Sequence, residues 1–118
     1  MHELSIAGSV VEIACRNAQG RRISRVRLKV GHLRQIVPAS LIFNFELVAR
    51  GTPAEGAELV LEAVPAIGAC AACGAETEQC AFPLQCQACG TWNPRIVAGD
   101  ELIVESLELE EAGIGAAT

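Results

Sequence analysis

Residues 70–89 are the most informative stretch of this chain, and they read CAACGAETEQCAFPLQCQAC. They hold two C-x-x-C pairs, Cys70 with Cys73 and Cys86 with Cys89. Two such pairs separated by a short loop place four thiolates about 2.3 Å from one Zn²⁺ ion in a tetrahedron. Each pair is followed by glycine, the residue that most easily adopts the positive φ such turns need. The spacing therefore predicts a zinc-binding module.

A site with four protein sulfurs leaves no coordination position for a reacting water, so the predicted zinc is structural and not catalytic. A rubredoxin-like iron site, disulfides and free thiols are the competing interpretations. Among the other cysteines, Cys80 lies on the loop between the pairs and Cys15 lies in an apolar helical segment. Neither is expected to be a ligand, because a cysteine in an apolar helix usually packs as a small hydrophobic residue.

Outside this module the hydrophobic pattern predicts two helices and three strands. The helices are expected at residues 4–18 and Val37–Arg50, and the strands at Ile23–Val30, Ala57–Val64 and Ile96–Leu109. The fold class is therefore α+β, with two helices on a three-stranded mixed or antiparallel sheet and an inserted zinc-ribbon-like module. The expected domains are residues 1–66 with 95–111, a zinc module at 67–94, and a flexible tail at 112–118.

The same pattern predicts which side chains are buried. In the first helix these are Leu4, Ala7, Val11 and Ala14, with Ile6, Val10 and Ile13 beside them. In the second helix they are Ile42, Phe43, Leu47 and Val48, with Phe45 extending the face. In the first strand Val26, Leu28 and Val30 alternate with basic residues. The alternation of the last strand slips after Val104, which predicts a β-bulge near Glu105–Ser106.

Charge is distributed unevenly along the chain. The formal net charge is −5, from nine basic and fourteen acidic residues, which argues against a general nucleic-acid binder. Seven of the nine basic residues lie between Arg16 and Arg34, and six of the fourteen acidic ones lie between Asp100 and Glu111. We interpret this as a basic strand beside an acidic strand, with a docking surface for an acidic partner as the alternative.

The sequence contains no apolar run long enough for a membrane span and no signal-peptide pattern, so a cytoplasmic protein without membrane contact is expected. It also shows no Ser/His/Asp or Cys/His set with supporting geometry and no Gly-rich phosphate loop resembling a P-loop, so no enzymatic activity is expected.

The amino terminus offers a second, chemically different metal site. The α-amino group of Met1, the backbone nitrogen of His2 and the His2 imidazole can close fused chelate rings, and Glu3 adds a carboxylate or its own amide. Nickel(II) and copper(II) favour such nitrogen-rich square geometry. The competing interpretation is an incidental histidine near a frayed end. His32, the other histidine, is expected to be a loop residue.

Several segments together resemble one known family. They are residues 1–5 (MHELS), 25–31 (RVRLKVG), 40–45 (SLIFNF), the 51–57 turn with Gly51, Thr52, Glu55, Gly56 and Ala57, the two cysteine pairs, and Ile96, Val97, Gly99, Glu101 and Leu102. This combination is similar to the HypA/HybF nickel-incorporation proteins, up to about Glu111.

The resemblance implies a nickel metallochaperone for [NiFe]-hydrogenase. It implies a nickel site at Met1, His2 and Glu3 in the larger domain and structural zinc at the four paired cysteines. The implied partners are the GTPase HypB and the hydrogenase large subunit. A role toward urease and the choice between monomer and homodimer stay open. The alternative is a zinc-ribbon interaction or nucleic-acid-binding module without nickel, although residues 70–92 contain no Lys or Arg.

Overall fold

The computed structural model describes residues 2–110, without the side chain of His2. Its helices are α1 (His2–Arg16) and α2 (Pro38–Ala49), and a 3₁₀ turn covers His32–Arg34. Its strands are β1 (Ile23–Gly31), β2 (Glu58–Val64), β3 (Ile67–Ala69), β4 (Glu76–Glu78), β5 (Arg95–Ala98) and β6 (Leu102–Leu109). The α+β prediction is confirmed. Met1 and the tail expected at 112–118 lie outside the described residues.

The described chain divides into two compact units. One contains the residues up to Leu28, then Ile36–Leu61, then those from Val104 onward. The other contains Lys29–Gln35 and Glu62–Ile103 and therefore includes both cysteine pairs. Compactness alone does not establish independent folding, so the domain boundaries derived from the sequence stay a prediction.

In the first unit α1 packs against α2. The buried apolar side chains of α1 are Ala7, Val10, Val11 and Ala14. Two of these four are alanines, whose small side chains allow close approach between helix backbones. Leu4 and Ile13, which were expected on the buried face, are 52% and 39% exposed. That part of the prediction was wrong.

The buried face of α2 also differs from the predicted one. Leu41, Phe45 and Ala49 are buried at intervals of four residues, whereas Phe43 is 63% and Leu47 is 43% exposed. Apolar residues surround most of this helix, so periodicity alone does not select a face. The contact with α1 selects it instead.

One three-stranded sheet has the order β2-β1-β6. Val26 and Leu28 of β1 are buried, as expected, and Val30 is half-buried. Arg25 on β1 contacts Glu58 on β2 at 2.9 Å and Glu108 on β6 at 2.8 Å. The expected pairing of a basic strand with acidic neighbours is therefore confirmed.

The segment expected as one strand at Ile96–Leu109 forms two strands in different sheets. The break falls at Gly99, whose φ of 106° is unfavourable for residues with a Cβ atom. Within β6, Glu105 and Ser106 are both exposed, and the half-buried side chains change phase across them. The phase slip is confirmed, and the β-bulge proposed to explain it stays a prediction.

The second unit contains a small sheet of order β4-β3-β5 that the sequence pattern did not predict. β3 pairs antiparallel with both neighbours. β3 and β4 have only three residues each, which is too short for alternation to be visible. This sheet positions the site, because β3 leads directly into Cys70 and β4 follows the first cysteine pair. Among the described residues, no helix is long and apolar enough to cross a membrane.

Candidate metal centre

The two cysteine pairs have the same backbone turn. In the first, the N–H of Gly74 donates to the carbonyl of Cys70 at 2.8 Å, and the N–H of Cys70 donates to the carbonyl of Ala75 at 2.9 Å. We call residues 70–75 the first knuckle and residues 86–91 the second knuckle. In the second knuckle the equivalent donors, Gly90 and Cys86, make bonds of 2.9 and 2.8 Å.

Each knuckle requires its glycine. Gly74 has a φ of 79° and Gly90 a φ of 83°, values that side chains with a Cβ atom rarely adopt. These glycines allow the chain to turn so that its two cysteines point to the same side. The reason given from the sequence for a glycine after each pair is confirmed.

The four sulfurs converge on one point. Cys70 Sγ lies 3.6 Å from Cys89 Sγ, and Cys73 Sγ lies 3.6 Å from Cys86 Sγ. All four sulfurs lie within 4.8 Å of one another. A tetrahedron with metal–sulfur bonds of about 2.3 Å has edges of about 3.8 Å, so the sulfurs have the spacing of a tetrathiolate zinc site. The chemistry and the geometry of the donor set both fit zinc.

The surrounding hydrogen bonds favour deprotonation of the two cysteine thiols in the second knuckle. Backbone N–H groups of Cys89 and Ala88 donate to Cys86 Sγ, each at 3.4 Å, and lower the pKa of Cys86 to about 6. Hydrogen bonds from the Thr91 side chain and backbone lower the pKa of Cys89. A bond from the Ala75 backbone lowers the pKa of Cys73, but the Cys86 and Cys89 sulfurs outweigh it and raise that pKa to about 12. Four clustered thiols cannot all ionise unless a cation balances their charge.

A buried amide side chain just after β4 supports the residue that leads into the second knuckle. Gln79 is 2% exposed, and its Oε1 accepts a 2.8 Å hydrogen bond from the N–H of Gln85. Thr77, within β4, accepts at Oγ1 from the N–H of Gln87 at 3.1 Å. These contacts join the end of the loop between the knuckles, and the second knuckle itself, to β4 and the residue after it. The sequence analysis missed them, because no local pattern marks a glutamine that bonds to backbone six residues away.

Among the described residues, Cys15, Cys80 and His32 are not members of this cluster. Cys15 is half-buried in α1, and Cys80 is exposed on the loop between the knuckles. His32 lies in the 3₁₀ turn, where its Nε2 is 3.4 Å from the carbonyl oxygen of Cys80. Among the described residues, the four paired cysteines are the one group of three or more His, Cys, Asp or Glu side chains close enough to share an ion.

The amino-terminal candidates are only partly described. Met1 lies outside the described residues, and His2 is the first residue of α1. Glu3 is 6% exposed, and its Oε2 accepts a 3.1 Å hydrogen bond from the N–H of Val37. Hydrogen bonds from the amino terminus and from Val37 lower the pKa of the Glu3 carboxyl to about 2. The nickel ligand set stays a prediction.

An α+β chain with four convergent thiolates beside a small three-stranded sheet defines the class of zinc-ribbon-containing metal-binding proteins. A family profile described as hydrogenase/urease nickel incorporation, metallochaperone, HypA, matches residues 1–109. The chain belongs to the HypA family.

Relatives named hydrogenase maturation factor HypA are similar over nearly their whole length. The protein from Geobacter metallireducens is 46% identical over 110 residues, covering 93% of this chain and 100% of the relative. The protein from Chlorobaculum tepidum is 46% identical over 113 residues with the same coverage of both chains. The family resemblance seen in the sequence is confirmed.

Two solved structures share the fold. The solution structure of a HypA protein superposes with a TM-score of 0.65 at 23% identity, covering 93% of this chain and 97% of that chain. The solution structure of the nickel metallochaperone HypA from Helicobacter pylori gives a TM-score of 0.64 at 23% identity, with 92% and 97% covered.

Proposed function

We propose that this chain is a nickel metallochaperone that delivers Ni(II) for the maturation of [NiFe]-hydrogenase and carries a structural zinc ion. Its membership of the HypA family, matched over residues 1–109, is the observation that carries the proposal. The relatives' common name, hydrogenase maturation factor, supports hydrogenase as the client.

The zinc ion is held by Cys70, Cys73, Cys86 and Cys89. A tetrahedral set of four thiolates suits zinc and leaves no position for substrate, so this ion stabilises the module and is not the cargo. Its thiolates must remain reduced, which is consistent with a cytoplasmic protein.

Nickel is the cargo, and it binds at Met1, His2 and Glu3. The first N–H groups of an α-helix have no partner within the helix. Because α1 begins at His2, the backbone nitrogens of His2 and Glu3 are not needed for helical hydrogen bonds. They can join the α-amine and the imidazole in the nitrogen-rich square set that Ni(II) favours. Glu3 contributes either its carboxylate, which also accepts from Val37 N–H, or its own backbone nitrogen.

A metallochaperone exchanges its metal ion with partner proteins and does not itself need to catalyse a reaction. We propose the GTPase HypB and the hydrogenase large subunit as partners, with nucleotide hydrolysis supplied by HypB. Neither nucleic acid nor membrane is part of this proposal, and a homodimer is compatible with it.

The decisive experiment is nickel titration of untagged protein by calorimetry, with zinc content measured in the same samples. His2→Ala should abolish specific Ni²⁺ binding, because it removes the imidazole from the chelate, while zinc content and circular dichroism stay unchanged. His32→Ala is the matched control, since it removes the other histidine and should leave nickel binding intact. Unchanged nickel affinity in His2→Ala would refute the amino-terminal site.

A cellular measurement tests the delivery role separately. Cells carrying His2→Ala should contain hydrogenase that lacks nickel, and added nickel should restore its activity, because a chaperone raises local supply. Normal hydrogenase maturation in this strain at low nickel would refute the delivery role.

A further inference from the structure

The two knuckles have equal backbone turns but differ in one side chain that contacts a sulfur. Two residues after its second cysteine, the second knuckle has Thr91, whereas the first has Ala75. Thr91 Oγ1 lies 3.1 Å from Cys89 Sγ. A methyl group at position 75 has no proton to donate, so the side chain there leaves Cys73 without the equivalent bond.

A hydroxyl that donates to a thiolate uses one of the sulfur lone pairs. It stabilises the negative charge and makes that lone pair less available to an electrophile. Cys73 and Cys89 are both exposed, so access of a small reagent does not distinguish them. The hydroxyl of Thr91 is therefore a chemical difference between Cys73 and Cys89 that exposure does not explain.

We propose that Thr91 is a positioning residue that makes Cys89, in the second knuckle, less reactive than Cys73 in the first. Cys73 is then the first sulfur to dissociate from the zinc ion. The inference rests on the proposed structural zinc. When Cys89 is a zinc-bound thiolate it has no proton, so the Thr91 hydroxyl, 3.1 Å away, is the donor and helps to hold that sulfur in place. Cys73, without such a donor from residue 75, is the first sulfur to leave the ion when an electrophile or a competing ligand arrives.

The support around Cys86 agrees with this asymmetry. Its sulfur accepts from the backbone N–H groups of both Ala88 and Cys89, each at 3.4 Å. The side chains of Thr77 and Gln79 also bind the backbone of Gln87 and Gln85 beside it. The second knuckle is thus tied to β4 as well as to its own turn.

The test is limited alkylation of the zinc-loaded, full-length protein with N-ethylmaleimide, followed by peptide mass spectrometry. In the wild type Cys73 should react about 3- to 10-fold faster than Cys89, the ratio expected from one hydrogen bond. Thr91→Val keeps the shape of the side chain and removes the hydroxyl, so it should bring the two rates together. Thr91→Ser should restore the wild-type difference.

Ala75→Thr supplies the reciprocal variant. It adds the hydroxyl to the first knuckle and should slow Cys73 toward the rate of Cys89. Because this variant leaves the second knuckle unchanged, it keeps the inference testable even if Thr91→Val fails to fold. In cobalt-substituted protein, Thr91→Val should shift the sulfur-to-cobalt charge-transfer band, and Thr91→Ser should restore it.

The outcomes separate this inference from the proposed function. Wild-type protein without stoichiometric zinc would refute the structural zinc itself. Stoichiometric zinc with equal rates at Cys73 and Cys89, or with a difference that persists in Thr91→Val, would overturn only the role of Thr91.

Discussion

The carboxylate of Glu3, in the first turn of α1, accepts a hydrogen bond from the backbone N–H of Val37, the residue that precedes α2. Val37 has no side-chain acceptor of its own, so Glu3 supplies from another helix what an N-cap side chain usually supplies locally. A negative charge at the start of a helix is also favoured by the helix dipole. Glu3 therefore links the proposed nickel-binding end of the chain to α2.

Replacing Glu3 should destabilise the first unit even without metal. Glu3→Ala leaves the N–H of Val37 without this acceptor and should lower the melting temperature by several degrees. Glu3→Gln keeps an acceptor oxygen and should cost less. Glu12→Ala, which removes only an exposed pair with Arg16, is the control and should have little effect. Equal melting temperatures for wild type and Glu3→Ala would contradict this role.

The same carboxylate should give a measurable pH dependence. Its folded-state pKa of about 2 lies below the ordinary value of 4.5, so the unfolded chain binds its proton more readily. The stabilisation is fully present above about pH 5 and is lost as the pH falls toward 2. The melting-temperature difference between wild type and Glu3→Gln should therefore shrink across this interval. A difference that stays constant across it would show that the charge of Glu3 is not responsible.

Truncation of the two phenylalanines on α2 should change stability by very different amounts. Phe45 is 1% exposed, and Phe45→Ala should lower the free energy of unfolding by about 3–5 kcal/mol through the cavity it leaves. Phe43 is 63% exposed, and Phe43→Ala should change it by less than about 0.5 kcal/mol. Urea denaturation of both variants measures the contrast. A larger loss for Phe43→Ala would restore the face predicted from the sequence.

Two glycines provide a second matched pair. A Cβ atom at Gly31 would overlap the backbone carbonyl of Gly99, so Gly31→Ala should force these segments apart and destabilise the second unit. Gly8 lies in α1 with open space around it, and Gly8→Ala should stabilise the protein by about 0.5–1 kcal/mol. Thermal unfolding of both variants is the measurement. A melting temperature of Gly31→Ala at or above the wild-type value would show that the close approach is not needed.

Removal of the paired cysteines should release zinc. The Cys73→Ala, Cys86→Ala double variant keeps only two sulfurs and should lose the ion and the order of the knuckles, since metal binding supplies folding energy to such sites. Cys80→Ala is the matched control and should keep about one zinc per chain. Elemental analysis after dialysis measures both. Stoichiometric zinc in the double variant would disprove the tetrathiolate assignment.

The grouping of Cys70, Cys73, Cys86 and Cys89 could be predicted from their spacing along the chain. Each pair is brought together by a turn of four residues, so only the meeting of the two knuckles depends on longer-range structure. The sequence also located α1, β1, α2 and β2 to within a few residues, because amphipathic periodicity and the glycines after the helices are local signals.

Tertiary structure decided what local signals leave open. The pattern of α2 allows several buried faces, and packing against α1 buried Phe45 in place of Phe43. The stretch Ile96–Leu109 alternates almost throughout, and its division at Gly99 places its two parts in different sheets. The contacts of Glu3 with Val37 and of Gln79 with Gln85 join residues that no sequence period connects. Such contacts depend on which surfaces meet in the folded chain, and periodicity carries no information about that choice.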